Sequence, residues 1–141
     1  MSIEFKIEPY SSVGRCTFGM TRNEIKEILG EPVSTTDYGF PVSNGFLDDY
    51  GFYYIFSDNK GIFEAIEIFP TYVNDVIILI YGDVKIELSA NIEKALIEFE
   101  KITDDMIEDE DGYSSEKLGA GLFCPEGEVE NAIFYRKHYY D

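Results

Sequence analysis

Residues 76–99 read VIILIYGDVKIELSANIEKALIEF, and the hydrophobic period changes twice along them. Val76 to Tyr81 is a continuous apolar run, the pattern expected of a central strand covered on both faces. Gly82 and Asp83 fit a two-residue hairpin turn with glycine first, and Val84, Ile86 and Leu88 then alternate with Lys85 and Glu87 as a half-buried strand would. After Ser89 the spacing becomes helical, with Ile92, Ala95, Leu96, Phe99 and Ile102 on one stripe. A hairpin running straight into an amphipathic helix assigns the chain to the α+β class.

The same grammar appears upstream. Thr21 followed by Glu24 forms a capping box, Ile25, Ile28 and Leu29 share a face, and Gly30 and Pro32 stop the helix. Residues 33–50 are rich in Gly, Pro, Ser, Thr, Asn and Asp, with Tyr38, Phe40, Phe46 and Tyr50 interspersed, and read as a long surface loop. Residues 52–56 and 62–69 are β-rich runs separated by Ser57-Asp58-Asn59-Lys60-Gly61, a hairpin. Downstream, residues 118–123, a Pro125-Glu126-Gly127 turn and residues 129–140 form a second hairpin.

At an offset of 67 residues Ile25 falls on Ile92, Leu29 on Leu96, Ile55-Phe56 on Leu122-Phe123 and Ala65-Ile66 on Ala132-Ile133. An internal duplication of helix, loop and hairpin is therefore expected, with pseudo-repeats at about 12–70 and 76–141 inside one domain spanning 1–141. Such a chain would build an antiparallel sheet, or two joined at an edge, with one helix per half packed on one face, leaving the other face free.

The formal charge is −17, and residues 48–141 carry −15 of it. A field of that sign repels nucleic acid and anionic membranes and attracts cationic partners. Residues 104–111, DDMIEDED, hold 6 acids in 8 positions and read as a solvated connector. Residues 1–10 carry Glu4, Lys6 and Glu8 without an apolar stretch, and no run approaches a membrane span, so neither export nor insertion is expected and a cytoplasmic location follows. Cys16 and Cys124 fit a reducing compartment as buried small hydrophobes.

The residues offer no constellation for chemistry. The one histidine, His138, lies in the aromatic run FYRKHYY, and no nucleophile elbow is present. Residues 107–112 imitate the start of a calcium loop, but Ile107 and Leu118 occupy the first and last ligand positions. Gly19 precedes the first helix without a phosphate-binding fingerprint. No enzymatic activity, metal, cofactor or small-molecule substrate is expected. What remains is acid and tyrosine: Tyr50, Tyr53, Tyr54, Tyr72, Tyr113, Tyr135, Tyr139 and Tyr140 are too many for the core alone, and some should face a partner.

The segment from Ser12-Val13-Gly14 through Phe18-Gly19-Met20-Thr21 and Glu24-Ile25 to Leu29-Gly30-Glu31-Pro32, followed by Phe52-Tyr53-Tyr54-Ile55-Phe56, resembles small bacterial immunity proteins of contact-dependent growth inhibition systems. The helix motif is also similar to that of BamE-like outer-membrane lipoproteins, whose lipoprotein signal and cysteine this sequence lacks. The first resemblance covers roughly half the chain and implies a protein that binds and neutralises one cognate toxin domain, many of which are basic nucleases. The expected contact residues are Asp48, Asp49, Tyr50 and Tyr53, together with Asp104, Asp105, Glu108, Asp109, Glu110 and Asp111. The alternative is a general binding or scaffold module of BamE or lactamase-inhibitor type.

Overall fold

The computed structural model describes residues 2–38 and 44–140 and has the expected mixed α+β character, built on two sheets rather than one. Its strands are β1 (Ser2–Glu8), β2 (Ser12–Val13), β3 (Cys16–Thr17), β4 (Ser34–Tyr38), β5 (Gly45–Asp49), β6 (Tyr53–Asp58) and β7 (Phe63–Ile68) in the first half. The second half contributes β8 (Val76–Tyr81), β9 (Val84–Leu88), β10 (Ile107–Glu108), β11 (Gly112–Ser115), β12 (Ala120–Phe123) and β13 (Asn131–Tyr135). Helix α1 (Arg22–Leu29) precedes β4 and helix α2 (Ile92–Phe99) precedes β10.

The capping chemistry read from the sequence forms α1. Thr21 Oγ1 accepts from the Glu24 amide while Glu24 Oε1 accepts from the Thr21 amide, so two donors that the first turn leaves orphaned are satisfied reciprocally. Gly30 ends the helix at φ 86°, a conformation that favours glycine. Helix α2 is capped by Asn91, whose Oδ1 accepts from the Lys94 amide at 2.9 Å.

The smaller sheet has the order β3-β2-β1-β8-β9. Its central strand is β1, and β8 lies between β1 and β9, parallel to β1, with Ser2 opposite Val76 and Lys6 opposite Ile80, and antiparallel to β9. The continuous apolar run of β8 is less enclosed than its composition suggests. Ile77 and Leu79 are buried, Ile78 and Ile80 are half-buried, and Val76 is exposed.

The larger sheet has eight strands in the order β10-β11-β12-β13-β7-β6-β5-β4, every pair antiparallel. The expected loop over 33–50 is replaced by the β4–β5 pair, in which the backbones pair antiparallel and Thr35 Oγ1 donates to Asp48 across the strands. Phe40, also placed in that loop, lies outside the described residues. The acidic connector likewise contains a short edge strand, β10, paired with β11. The terminal hairpin ends at Tyr135, and residues 136–140 turn back, with the Tyr139 amide donating to the Arg136 carbonyl.

One helix followed by four antiparallel strands occurs in each half, and the two four-strand sets join where β13 pairs with β7. From each helix onward the order of elements repeats; before the helices, three strands (β1, β2, β3) stand in the first half against two (β8, β9) in the second. The expected duplication is therefore not established by the structure.

Alternation along the larger sheet sends Ile55, Ile66, Ile68, Ala120, Leu122, Ala132 and Phe134 to one face, where they share a single core with Ile25 of α1, Ala95 and Phe99 of α2, and Ile7, Ile77, Leu79, Ile86 and Leu88 of the smaller sheet. The helices and the smaller sheet thus cover the inner face. The residues that alternate to the outer face, Tyr54, Phe56, Ile133 and Tyr135 among them, take no part in that core.

Candidate functional site

Cross-strand register defines what the outer face displays. One row crosses all eight strands as Ser34, Asp49, Tyr54, Glu67, Ile133, Gly121, Ser114 and Ile107. A parallel row runs Thr36, Leu47, Phe56, Ala65 and Tyr135. Side chains directly opposite on adjacent strands touch, so Tyr54, Glu67 and Ile133 form the middle of a half-buried patch in which an acid is set among apolar and aromatic neighbours.

The face is not flat. Over Ser114 and Gly121, the small residues of the first row, lies a cavity of about 520 Å³ walled by Tyr113, Phe123, Ile133, Tyr135 and Tyr140 and rimmed by Asp109, Glu110 and Asp111. The returning C-terminal segment supplies Tyr140, whose ring sits 5.0 Å from Tyr135 in an edge contact and 4.9 Å from Tyr139. A second depression of about 460 Å³ lies on the far side of Tyr140, over Glu67 and Asn131.

Burial pushes the Glu67 carboxyl up to about 7, and the charge of nearby Glu130 adds to the effect. Among the described residues no hydrogen bond or ion pair reaches the Glu67 carboxyl. Burial also raises the hydroxyls of Tyr54 and Tyr140, with further contributions from nearby acids, and pushes Tyr135 up to about 12. The tyrosines of this face are therefore neutral hydrogen-bond donors at any physiological pH.

The structure divides the expected contact residues. Asp49 stands on the outer face and caps the following turn, its Oδ1 accepting from the Gly51 amide at 2.7 Å. Asp109, Glu110 and Asp111 are exposed on the cavity rim. Glu108 is exposed on the edge strand beside them, 3.5 Å from the Tyr113 hydroxyl.

The others are occupied within the fold. Asp48 is 2% exposed on the inner face, with Arg22 Nε on Oδ2 at 2.9 Å, Arg22 Nη2 on Oδ1 at 2.8 Å and Thr35 Oγ1 at 2.6 Å. Burial alone would raise its carboxyl, but the bonds from Arg22 and Thr35 outweigh it and hold Asp48 below the usual range. Asp48 is thus a buried strut and not a contact residue. Tyr50 donates to the Gly30 carbonyl at 2.9 Å and stacks on Tyr53 at 5.3 Å, both packed against the core. These two tyrosines lie on the opposite side of the sheet from Tyr54, the consequence of a one-residue step along a strand.

Asp104 pairs with Lys117 Nζ at 2.6 Å. Asp105 accepts from Thr103 and Ser115 hydroxyls, each at 2.5 Å, and from the Lys117 amide at 2.9 Å. Burial opposes ionisation of Asp105, yet these bonds prevail and hold it at about 2. Asp105 fastens the connector to the turn after β11, whereas Asp104 is exposed and makes only a surface ion pair.

Sequence reading placed Tyr54, Tyr72, Tyr135 and Tyr140 in the pool of tyrosines but did not find Glu67, Phe69 or Asn131. An acid between Ile66 and Ile68, in a strand otherwise apolar, was the available signal. Burial pushes the Cys16 thiol up to about 11, which keeps it protonated and inert. No group of three or more potential metal ligands occurs among the described residues, and no helix among them is long and apolar enough to cross a membrane. No family model, curated protein or solved structure matches the chain.

Proposed function

We propose that this chain is an inhibitor of immunity type, acting in the cytoplasm of the cell that makes its target, and that it neutralises a basic toxin domain with the open face of the eight-stranded sheet. The observation that carries the reading is the composition of that face: tyrosines and Ile133 around Glu67, with Asp109, Glu110 and Asp111 on the rim and both described helices packed on the other side. Aromatic side chains bury much area with few rotors to freeze, and a strongly negative field speeds encounter with a cationic surface. The resemblance of residues 12–56 to immunity proteins supports the same reading.

The test is co-expression with the protein domain encoded next to this chain, scoring growth rescue and co-purification. Rescue by the wild-type chain, lost when Asp109, Glu110 and Asp111 are changed together to Lys, supports the reading. Absence of rescue by the wild-type chain overturns it, and stable capture of a non-toxic neighbour instead assigns the face to a scaffold role.

A further inference from the structure

The depression over Glu67 has features that the rest of the open face lacks. Its wall is three rings in succession: Tyr54 lies 4.5 Å from Phe69, and Phe69 stacks on Tyr72 at 4.6 Å with the planes 13° apart. Phe69 is 5% exposed whereas Tyr72 is 54% exposed, so the wall is anchored at one end and open at the other. Beside it stand two acceptors without donors. Glu67 is unpaired among the described residues, and Asn131, only 3% exposed, has its Oδ1 buried with no hydrogen-bond partner.

A buried acceptor left unmet is destabilising, and an unpaired carboxylate in a half-buried site adds to that penalty. A group that matches these features supplies several donors, carries positive charge and presents a flat surface to the rings. A guanidinium meets all three requirements: its five N–H donors lie in one plane, it pairs with carboxylates, and it stacks on aromatic faces. An ammonium is a compact charge without the flat face.

We propose that Glu67, Asn131 and the Tyr54–Phe69–Tyr72 wall form a socket for a single guanidinium, the side chain of one arginine on the cationic partner; this deepens, and rests on, the reading of the open face as the docking surface. The carboxyl of Glu67 receives the ion pair, the Asn131 oxygen takes a second donor, and the rings take the plane. Glu130, exposed at the mouth, adds negative charge along the approach. The raised carboxyl of Glu67 is consistent with a site completed by a cation, because an arriving positive charge draws that value back down.

The experiment is an NMR titration of the intact chain with N-acetyl-arginine amide, beside the citrulline analogue, which has the same shape without the charge, and the lysine analogue. The expected result is saturable shifts at the Asn131 side-chain amide and at the Tyr54 and Tyr72 rings, with the arginine compound binding about tenfold tighter than either competitor. Glu67→Gln, which keeps size and removes a half-buried charge, should weaken the arginine compound by about tenfold while leaving the rest of the spectrum in place. Tyr72→Ala, at an exposed position, should weaken it without unfolding the chain. Equal shifts with the citrulline compound, or no saturable shift with any, overturn the socket. Toxin neutralisation that survives Glu67→Gln unchanged removes the socket but leaves the docking face standing. Loss of that face altogether would be read from the rim-charge variant instead.

Discussion

Arg22 reaches from the first turn of α1 to both carboxylate oxygens of Asp48 on β5, at 2.8 and 2.9 Å, and so ties the helix to the inner face of the larger sheet through a residue that is 2% exposed. The guanidinium also lies 4.3 Å from the centre of the Phe46 ring. Removing one partner strands a buried charge. Arg22→Ala should cost about 3–5 kcal/mol in urea denaturation, while Arg22→Met with Asp48→Leu should recover much of that loss. A single variant within 0.5 kcal/mol of wild type would show that the pair does not hold the helix.

Glu67 makes stability depend on pH in the direction opposite to an ordinary paired carboxylate. Its folded value, about 7, lies above its unfolded value near 4.5. The stability it contributes is therefore complete below pH 4.5 and lost as pH rises through 7. Glu67→Gln should remove that dependence and leave the variant about 1–2 kcal/mol more stable than wild type at pH 8, after allowance for solvent screening. Parallel denaturation curves from pH 4.5 to 8 for both proteins would argue that the carboxyl is fully solvated.

Changing Asp109, Glu110 and Asp111 to Lys alters charges that are exposed at a turn, so folding stability should move by less than about 0.5 kcal/mol. Association with a basic partner should slow by about tenfold or more at low salt and converge with wild type as salt rises. Stopped-flow mixing at several ionic strengths distinguishes this from a contact effect, which would appear in the dissociation rate.

Gly119 holds φ at 59°, and a methyl group there would fall 2.8 Å from the Tyr10 ring, whose hydroxyl donates to the Glu116 carbonyl. Gly119→Ala should therefore cost about 1–3 kcal/mol, from the left-handed backbone together with the displaced ring. Thermal unfolding of the variant beside Gly121→Ala, whose added methyl would sit 3.4 Å from Ile133, separates strain from simple crowding.

The helices and strands β6, β7, β8, β9, β12 and β13 were legible because their signals are local: the Thr21 and Glu24 box, the Ile92 to Phe99 stripe and the β-rich run at residues 62–69. Strand β1 was equally legible in the alternation of Ile3, Phe5 and Ile7 with the charged Glu4, Lys6 and Glu8. The β4–β5 pair was not, since Ser34, Thr35, Thr36 and Asp37 have loop composition and become a strand only by pairing with β5. Asp48 illustrates the limit for sites. As one acid among 28 it looked solvated, and Arg22, 26 residues away, is what buries it. The facing of Glu67 depends in turn on a register shift between Phe56 and Ser57 and on pairing with β13, neither of which composition records.

The parallel pairing of β1 with β8 has a temporal side. Ser2 finds its parallel neighbour only when Val76 has been made, so at ordinary synthesis rates the edge of β1 away from β2 waits roughly 4–15 seconds unpaired. During that interval Ile3, Phe5 and Ile7 sit on an unpaired edge that a second nascent chain can capture. Exchange of β1 between two molecules is thus the characteristic misassembly built into this topology, and dilution or slower initiation during expression should suppress it.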